Sequence, residues 1–467
     1  MSLLVVELSD AGIMVAGGDP PQLLKIDGSE IESPGFAVAK KKQIIVGKQA
    51  EKQAHLHPNT VQNRFWDQLN TDHIKELTGP AQNNAEIACA HLAMIWEKIK
   101  FYGSEMMISV PGSMSRTQMG LILGVAQELS IHVKGFVTQA VASPPHSFPE
   151  SRLLYMDIYL HRTEITPLIQ GERLSQGETV TLGEAGLMHL YRSWVEALAE
   201  EFVRTTRFDP LHRAEYEQEL YDRLPDVLSH LSHNSTMRFE MRARQTVHNV
   251  TLTRDLLNKR AEPFFKRVRG LVVSALEGGG NEKSSTLILS NRIARLPGIE
   301  AIRKTIDSCR TVELEAGGCA LNVFRNREQF ESRSDGSGAS YFTSRPWRVA
   351  QQLTKTKIQG VPFEQTPTHL LYRDLAYPIT SAPIFIGREP VPEERSLTIS
   401  NTQVSRKHCS VRQEGEDIVL TVYSSAGTYV NENRVEGSSR VTLGQIIRIG
   451  NSKETVRLIA SLDADET

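Results

Sequence analysis

The sequence predicts an α/β body in the first two-thirds of the chain and an all-β sandwich at the C-terminal end. Over the first 330 residues, short apolar runs alternate with helix-like stretches, a pattern typical of α/β layers. From Glu331 to Ser340 the composition changes to Ser, Gly and charged residues, which indicates a linker. Beyond Pro367, short apolar runs are separated by turns rich in Gly, Asn and Ser, which favours an antiparallel sandwich.

These observations set the expected domain boundaries. We expect the body at residues 1–330, the linker at 331–366 and the sandwich at 367–463. The strand candidates of the body are short apolar runs, namely Leu3 to Leu8, Gln43 to Gly47, Met106 to Val110, Leu153 to Asp157 and Thr286 to Leu289.

Two parts of the body have helical periodicity, Ser115 to Leu129 and the region from Gly183 to about Val273. In the second region one apolar stripe indicates plain helix packing. The same region contains a basic stretch that we expect on a solvated helical face, with a docking patch for an acidic partner as the alternative. Its members are Arg238, Arg242, Arg244 and Arg254.

The composition excludes several classes of protein. Among 467 residues, 53 Lys and Arg stand against 55 Asp and Glu, and the formal net charge of -2 excludes a strongly basic nucleic-acid binder. No apolar run reaches the roughly 20 residues that span a bilayer, so we expect no membrane insertion. The four cysteines lack metal-site spacing and the first residues lack a basic leader segment, which together predict a cytoplasmic protein without a metal site.

The C-terminal third contains an ordered set of short motifs. They are Ile386-Gly-Arg388, Ser405-Arg-Lys-His408, Gly427-Thr-Tyr-Val-Asn431 and Leu443-Gly-Gln-Ile-Ile-Arg-Ile-Gly450. In this order and spacing the sequence resembles the forkhead-associated (FHA) domain, over the expected sandwich 367–463. The resemblance implies a β-sandwich whose loops bind phosphothreonine peptides, a chemistry that needs charge-assisted donors for a phosphate dianion.

The resemblance also implies roles for individual residues. Arg388 and Ser405 would contact the phosphate, Arg406 would face the peptide, and Ser425 would add a phosphate or peptide contact. Four further residues match family positions that mainly hold the loops in shape, namely Gly387, His408, Gly427 and Asn431. Ala426 departs from the family, which usually has Asn at this position to bind the ligand backbone; the missing hydrogen bond is worth about 0.5–1.5 kcal/mol.

Segments of the body resemble DnaK-type heat-shock chaperones in their order and pattern. The matching segments are 43–54, 58–61, 108–112, 115–129, 137–142, 252–257, 263–265 and 287–297. The resemblance implies the actin-like fold over residues 1–330, with two α/β lobes around a nucleotide cleft. The expected fold class is therefore an actin-like two-lobed body joined by a linker to an FHA sandwich.

The phosphate loops of this expected cleft are degenerate. Glu7 takes the place of the first Asp and Ser9 that of a glycine, whereas Asp157 is kept. In the other two loops, glycine positions are filled by larger residues, namely Tyr159, Leu160, His161, Ser290 and Asn291. Because phosphoryl transfer depends on such loops and Mg²⁺, we expect no catalytic residue and no cofactor. Glu7 and Asp157 remain as vestigial nucleotide or Mg²⁺ ligands, and Gly278 to Gly280 is expected to be a loop.

The expected function is that of a phosphothreonine-dependent adaptor or scaffold. Its partner would be a threonine-phosphorylated protein within a multiprotein assembly, with no nucleic acid involved. One alternative is an ATP-binding, chaperone-like switch that the FHA domain targets to phosphoproteins, with ATP and Mg²⁺ as cofactors. Another is a structural part of a membrane-associated machine, which is an analogy at the level of the fold.

Overall fold

The computed structural model describes residues 2–75, 80–148, 151–277, 284–305, 309–330, 339–347, 366–372, 375–399, 401–415, 417–431, 433–450 and 454–459. The chain divides into two compact units, Met1–Thr354 and Lys355–Thr467. Gly278 to Gly280, predicted as a loop, and most of the predicted linker lie outside the described residues.

The first unit is the α/β body. Its strands are β1 (Leu3–Glu7), β2 (Ile13–Gly17), β3 (Gln22–Leu23), β4 (Glu32–Ser33), β5 (Ala37–Lys40), β6 (Gln43–Val46), β7 (Val61–Gln62), β8 (Glu105–Val110), β9 (His132–Thr138), β10 (Ser151–Ile158), β11 (Arg162–Gln170), β12 (Arg173–Gln176), β13 (Val180–Gly183), β14 (Thr236–Ala243), β15 (Thr246–Thr253), β16 (Ser284–Leu289), β17 (Cys309–Glu313), β18 (Ser340–Phe342) and β19 (Ser344–Pro346). Its helices are α1 (Lys48–Glu51), α2 (Asn84–Ile99), α3 (Arg116–Glu128), α4 (Gln139–Ala142), α5 (Leu187–Thr206), α6 (Ala214–His233), α7 (Arg254–Glu277), α8 (Asn291–Ala294), α9 (Glu300–Thr305) and α10 (Gly318–Arg325), with 3-10 turns at Pro210–His212 and Arg327–Phe330.

Two seven-stranded sheets organise the body. The first has the order β18-β9-β8-β1-β2-β3 with β4 beside β2, and the second has the order β17-β16-β10-β11-β12-β19 with β13 beside β11. In each sheet a central strand, β1 or β10, pairs antiparallel with the next strand, which in turn pairs antiparallel with the strand after it. On its other side the central strand pairs parallel with a later strand, which pairs parallel with a further one. The same five-strand arrangement therefore occurs twice.

Alternating side chains of the central strand β1 enter two different cores. Leu4 and Val6 pack with residues of α2 and α3, whereas Val5 packs with Leu153 of β10 and Leu321 of α10. This alternation follows from the period of two in a β-strand. One apolar cluster therefore joins side chains from both sheets of the body.

The body extends beyond the boundary that composition predicts at residue 330. The short strand β18 pairs with β9 in the first sheet, and β19 pairs with β12 in the second. Both strands fall inside the segment predicted as linker. Their residues, Ser340 to Pro346, include three aromatic or proline side chains, so the composition of the preceding Ser- and Gly-rich run did not apply to them.

The region predicted as helical from Gly183 to Val273 contains three helices and, between α6 and α7, the hairpin β14–β15. The apolar stripe of α5 is buried as expected, including Trp194 and Phe202. The expectation of a helical face for the arginines is wrong for Arg238 and Arg242, which are exposed on β14, and for Arg244, which lies in the hairpin turn. Buried Phe239 and Met241 alternate with them, a period of two that indicates a strand.

A chain of buried hydrogen bonds crosses the first half of the body. Trp66 Nε1 donates to His91 Nδ1 (3.0 Å), His91 Nε2 bonds Ser33 Oγ (2.8 Å), and Ser33 Oγ donates to Asp27 Oδ2 (2.7 Å). The backbone N–H of Lys48 donates to the same Asp27 oxygen (2.7 Å). Because Nδ1 accepts a bond, the neutral ring carries its proton on Nε2, and burial lowers the pKa of His91 from 6.5 to about 4.

The second unit is a β-sandwich, as the sequence predicts. Its strands are β20 (His369–Tyr372), β21 (Leu375–Pro378), β22 (Ile384–Gly387), β23 (Arg395–Thr398), β24 (Cys409–Glu414), β25 (Asp417–Val422), β26 (Thr428–Val430), β27 (Asn433–Val435), β28 (Ser438–Val441), β29 (Ile446–Ile449) and β30 (Thr455–Ile459). One sheet has the order β21-β20-β30-β29-β26-β27 and the other β23-β22-β24-β25-β28, with a single apolar core formed by both. Among the described residues, no helix is long and apolar enough to cross a membrane.

Candidate functional site

The predicted phosphate-binding residues lie at one end of the five-stranded sheet of the second unit. Strand β22 ends at Gly387, its antiparallel neighbour β24 begins at Cys409, and β25, antiparallel to β24, ends at Val422. Antiparallel pairing therefore places the end of β22, the start of β24 and the end of β25 at the same edge. Arg388 and Ser405, from the loops that adjoin these strand ends, come together there.

Backbone contacts fix the first two of these loops against each other. The N–H of Arg388 donates to the carbonyl of Ser405 (2.9 Å), and the N–H of Glu389 donates to the carbonyl of Arg406 (3.3 Å). Gly387 is required at this approach, because a Cβ at its position would lie 2.0 Å from the carbonyl oxygen of Arg406. The loops therefore hold Arg388 and Ser405 side by side.

His408 connects the loop before β24 to the loop before β26. Its buried ring receives the Ser405 N–H at Nδ1 (3.4 Å), so Nε2 carries the proton and donates to the carbonyl of Gly427 (3.1 Å). Burial lowers the pKa of His408, which favours this neutral form. Gly427 has a φ of 88°, a conformation that favours glycine. The His408 ring thus bonds the backbone of both loops, at Ser405 and at Gly427.

Asn431 shapes the turn at the end of β26. Its φ of 47° is in the left-handed region, which Asn tolerates better than most residues. Its N–H donates to the carbonyl of Ile446 (3.0 Å), and its Oδ1 accepts the N–H of Ile446 (3.0 Å). These paired bonds hold the β26–β27 turn against β29.

Two serine hydroxyls meet in the candidate pocket. Ser405 Oγ lies 2.6 Å from Ser424 Oγ, and Ser424 Oγ also accepts the N–H of Ala426 (3.1 Å). Ser425, the residue singled out from the sequence, is exposed beside them. Sequence reasoning did not single out Ser424, because two adjacent serines in a loop carry no signal of which hydroxyl faces the neighbouring loop.

Arg388, Glu389 and Arg406 belong to the two loops that meet beside Ser405. Arg388 Nη2 and Arg406 Nε lie 3.7 Å and 3.8 Å from the same atom, Oε1 of Glu389. The side chain of Arg388 is 37% exposed and that of Arg406 is 75% exposed, so solvent reaches both guanidinium groups. The ammonium of Lys407, which sequence reasoning did not use, lies over the Phe385 ring (4.1 Å to the centroid) and is thereby directed to the side of the sheet.

The two carboxylates predicted as vestigial nucleotide ligands share one guanidinium group in the body. Arg292 Nη1 lies 3.4 Å from Glu7 Oε1 and 3.4 Å from Asp157 Oδ2, and Arg292 Nη2 donates to the carbonyl of Gly12 (2.7 Å). Burial raises the pKa of both carboxyls. Sequence reasoning missed Arg292, whose place next to Ser290 and Asn291 gives no indication of this contact.

Glu7 and Asp157 also accept hydrogen bonds from other groups. Glu7 Oε2 accepts the N–H of Cys319 (3.0 Å) at the start of α10, and Asp157 accepts the hydroxyls of Tyr155 (3.1 Å) and Ser290. Among the residues that the structure describes, no group of three or more His, Cys, Asp or Glu side chains could hold a metal ion. These carboxylates therefore have an arginine and hydrogen-bond donors as partners.

The large residues at the predicted glycine positions of the second phosphate loop are mostly packed inward. Tyr159 is buried and donates its hydroxyl to Gln139 (2.6 Å), and Leu160 is buried in a small apolar cluster. His161 bonds Asn63 Oδ1 (3.1 Å). A cavity of about 290 Å³ lies nearby in the body, and its lining includes Ala11, Glu30, Glu32, Lys48, Glu51, Lys52 and Asp222.

Comparison with known proteins identifies a domain in the C-terminal unit. Residues 384–450 match the model of the FHA domain family. The FHA match begins at β22 and ends after β29, so it includes Arg388, both serines and the loops that hold them. An FHA domain implies a phosphopeptide-binding adaptor function with phosphoprotein partners. No curated protein matches the chain. The actin-like fold of the body stays a prediction.

Proposed function

We propose that the protein is an adaptor whose FHA domain binds a phosphothreonine-containing segment of a partner protein. The observation that carries the proposal is that Arg388 and Ser405 lie on loops joined by backbone hydrogen bonds at one end of the sheet, with the Ser405 hydroxyl 2.6 Å from that of Ser424. A phosphate dianion is recognised by charge-assisted hydrogen bonds from arginine together with hydroxyl donors. This edge of the FHA domain offers both.

Each of the exposed groups has a separate part in the proposal. Arg388 binds the phosphate oxygens, and Ser405 donates its hydroxyl to the same group. Arg406, whose side chain is 75% exposed, faces the residues that flank the phosphothreonine and favours acidic ones. Ser425 adds a contact from the loop before β26.

Ala426 lowers the contribution that hydrogen bonds to the backbone of the peptide make to binding. Its methyl group offers no hydrogen bond to the peptide, where the family usually has an amide, and the loss is worth about 0.5–1.5 kcal/mol. Binding therefore depends more on charge than in a domain with Asn at this position. We infer that acidic flanking residues compensate for the missing bond.

We propose further that the body is a non-catalytic scaffold of the actin-like kind. The repeated five-strand order of its two sheets supports the fold. The contacts of Arg292 with Glu7 and Asp157 support the loss of catalysis, because Mg²⁺ bound there would have to displace a buried guanidinium. In the nearby cavity the four carboxylates of Glu30, Glu32, Glu51 and Asp222 outnumber the two lysines, Lys48 and Lys52, and this negative balance opposes a polyanion such as ATP.

All four cysteines are free thiols, which agrees with the proposed location in a reducing cytoplasm. The proposed adaptor function is tested by titrating the full chain with phosphothreonine peptides and with the same peptides in unphosphorylated form. The adaptor proposal expects binding of the phosphorylated form only, and loss of that binding in Arg388→Ala. Calorimetry with Mg·ATP tests the body: micromolar affinity that Asp157→Ala abolishes would instead support the ATP-driven switch.

A further inference from the structure

Glu389 lies where Arg388 and Arg406 of the candidate site approach each other. Its Oε1 atom is 3.7 Å from Arg388 Nη2 and 3.8 Å from Arg406 Nε, so one carboxylate oxygen contacts both guanidinium groups. The Glu389 side chain is 55% exposed. The carboxylate therefore neutralises part of the charge that a phosphate would use.

The backbone keeps Glu389 beside the arginines. Its N–H donates to the carbonyl of Arg406 (3.3 Å), and the preceding N–H, of Arg388, donates to the carbonyl of Ser405 (2.9 Å). Both bonds belong to the approach that only Gly387 permits. Glu389 can thus change its side-chain rotamer but cannot move its backbone away from the two guanidinium groups.

We propose that Glu389 is an internal competitor for the phosphate site, a carboxylate latch that an incoming phosphothreonine must displace. The inference rests on the proposed phosphothreonine binding and adds a regulatory residue to it. A dianion gains more Coulomb energy from two guanidinium groups than a monoanionic carboxylate does. Phosphothreonine therefore opens the latch, and the cost of opening it modestly lowers the affinity of every anion that binds there.

The size of the effect follows from the exposure of the groups. Ion pairs between solvated side chains are weak, and their loss corresponds to a change of about two- to five-fold in a binding constant. Because these contacts are exposed, salt screens them. The latch therefore adjusts affinity within one order of magnitude and has its largest effect at low ionic strength.

The wild-type full-length chain first selects a peptide from an oriented phosphothreonine library. The affinity for this peptide, labelled with fluorescein, is then measured by fluorescence anisotropy. Glu389→Gln is expected to bind this peptide about two- to five-fold more tightly than wild type at low salt, with a smaller gain at high salt. Glu414→Gln is the matched control, since it removes the same charge at the opposite end of β24. It is expected to leave the affinity unchanged.

A second background separates a latch from simple repulsion. In Arg406→Ala the carboxylate has lost one of its two partners, so Glu389→Gln is expected to gain less there than in wild type. A gain that is equal or larger in Arg406→Ala means that Glu389 only repels the phosphate, and overturns the latch.

Unchanged or weaker binding of Glu389→Gln overturns it as well, while the adaptor function stands. If the wild-type chain selects no phosphothreonine peptide, the proposed function fails, and the latch falls with it.

Discussion

The hydroxyl oxygens of Ser405 and Ser424 lie 2.6 Å apart, although the two residues belong to different loops of the FHA domain. The contact joins the loop before β24 to the loop after β25, and the N–H of Ala426 adds a third atom to the pair. A hydroxyl that is already held by a neighbour has fewer rotamers to lose when a ligand arrives. The pair would therefore orient the Ser405 hydroxyl for the proposed phosphate ligand.

This pairing predicts coupled effects of the two serines on binding. Ser405→Ala is expected to weaken phosphothreonine-peptide binding by at least about ten-fold, since a hydrogen bond to a charged group is worth about 1.5–3 kcal/mol. Ser424→Ala acts through Ser405 and is expected to cost less, and the double variant less than the sum of the two. Peptide titrations of the four proteins measure the coupling. Ser381→Ala, at the opposite end of β22, is the control, and strictly additive costs would contradict the pairing.

Arg292 is predicted to be essential to the stability of the body. Arg292→Met leaves the buried carboxylates of Glu7 and Asp157 without their cation, which is expected to cost about 3–5 kcal/mol at neutral pH. All four tryptophans lie within the first unit, so urea unfolding followed by tryptophan fluorescence reports on the body alone. Arg295→Met, at an exposed position, is the control.

Lower pH is expected to reduce the penalty of Arg292→Met. Burial raises the pKa of both Glu7 and Asp157, so these carboxyls take up protons more readily than exposed ones as the pH falls. Neutral carboxyl groups need no counterion. An Arg292→Met variant as stable as Arg295→Met at neutral pH would show that the guanidinium does not compensate these carboxylates.

His91 predicts an acid sensitivity of the body. Its pKa is 6.5 in an ordinary environment and about 4 in the folded chain, so between these values the unfolded state binds a proton that the folded state does not. Stability from this group is therefore complete above pH 6.5 and is lost as the pH falls towards 4, by about 3 kcal/mol in total.

The difference between wild type and His91→Gln isolates this contribution. Asp10 also contributes to the pH dependence of stability, because burial raises the pKa of its carboxyl to about 6 and its protonation has the opposite effect. The difference between the two proteins cancels this contribution, since both contain Asp10. Urea unfolding at several pH values, followed by tryptophan fluorescence, gives the two curves. We expect the wild-type curve to fall more steeply below pH 6.5; parallel curves would contradict the protonation of His91 as the cause.

The loop positions of the proposed FHA site residues could be predicted from the sequence because their determinants are local. Arg388 follows the glycine that ends β22, and Ser405 to His408 directly precede β24, so short motifs specify both loops. The choice between Ser424 and Ser425 could not be predicted, since it depends on the direction of one side chain in a turn.

The contacts of the body were less predictable because they are distant in sequence. Arg292 is 135 positions from Asp157 and 285 from Glu7, and no motif joins them. The hairpin β14–β15 was missed because the helical prediction for the segments on both sides was extended across it. Its own apolar residues recur with a period of two, which indicates a strand. The strands β18 and β19 are three residues each, too short for a pattern to form.

Titration of the full-length chain and its Arg388→Ala variant with an oriented phosphothreonine peptide library tests the adaptor function most directly. The wild-type chain is expected to select a peptide whose unphosphorylated form does not bind. Arg388→Ala is expected to lose at least about ten-fold in affinity, since a hydrogen bond to a charged group is worth about 1.5–3 kcal/mol. Arg412→Ala, on β24, is expected to bind as wild type does. Equal binding of phosphorylated and unphosphorylated peptides, or unchanged binding by Arg388→Ala, would contradict the account.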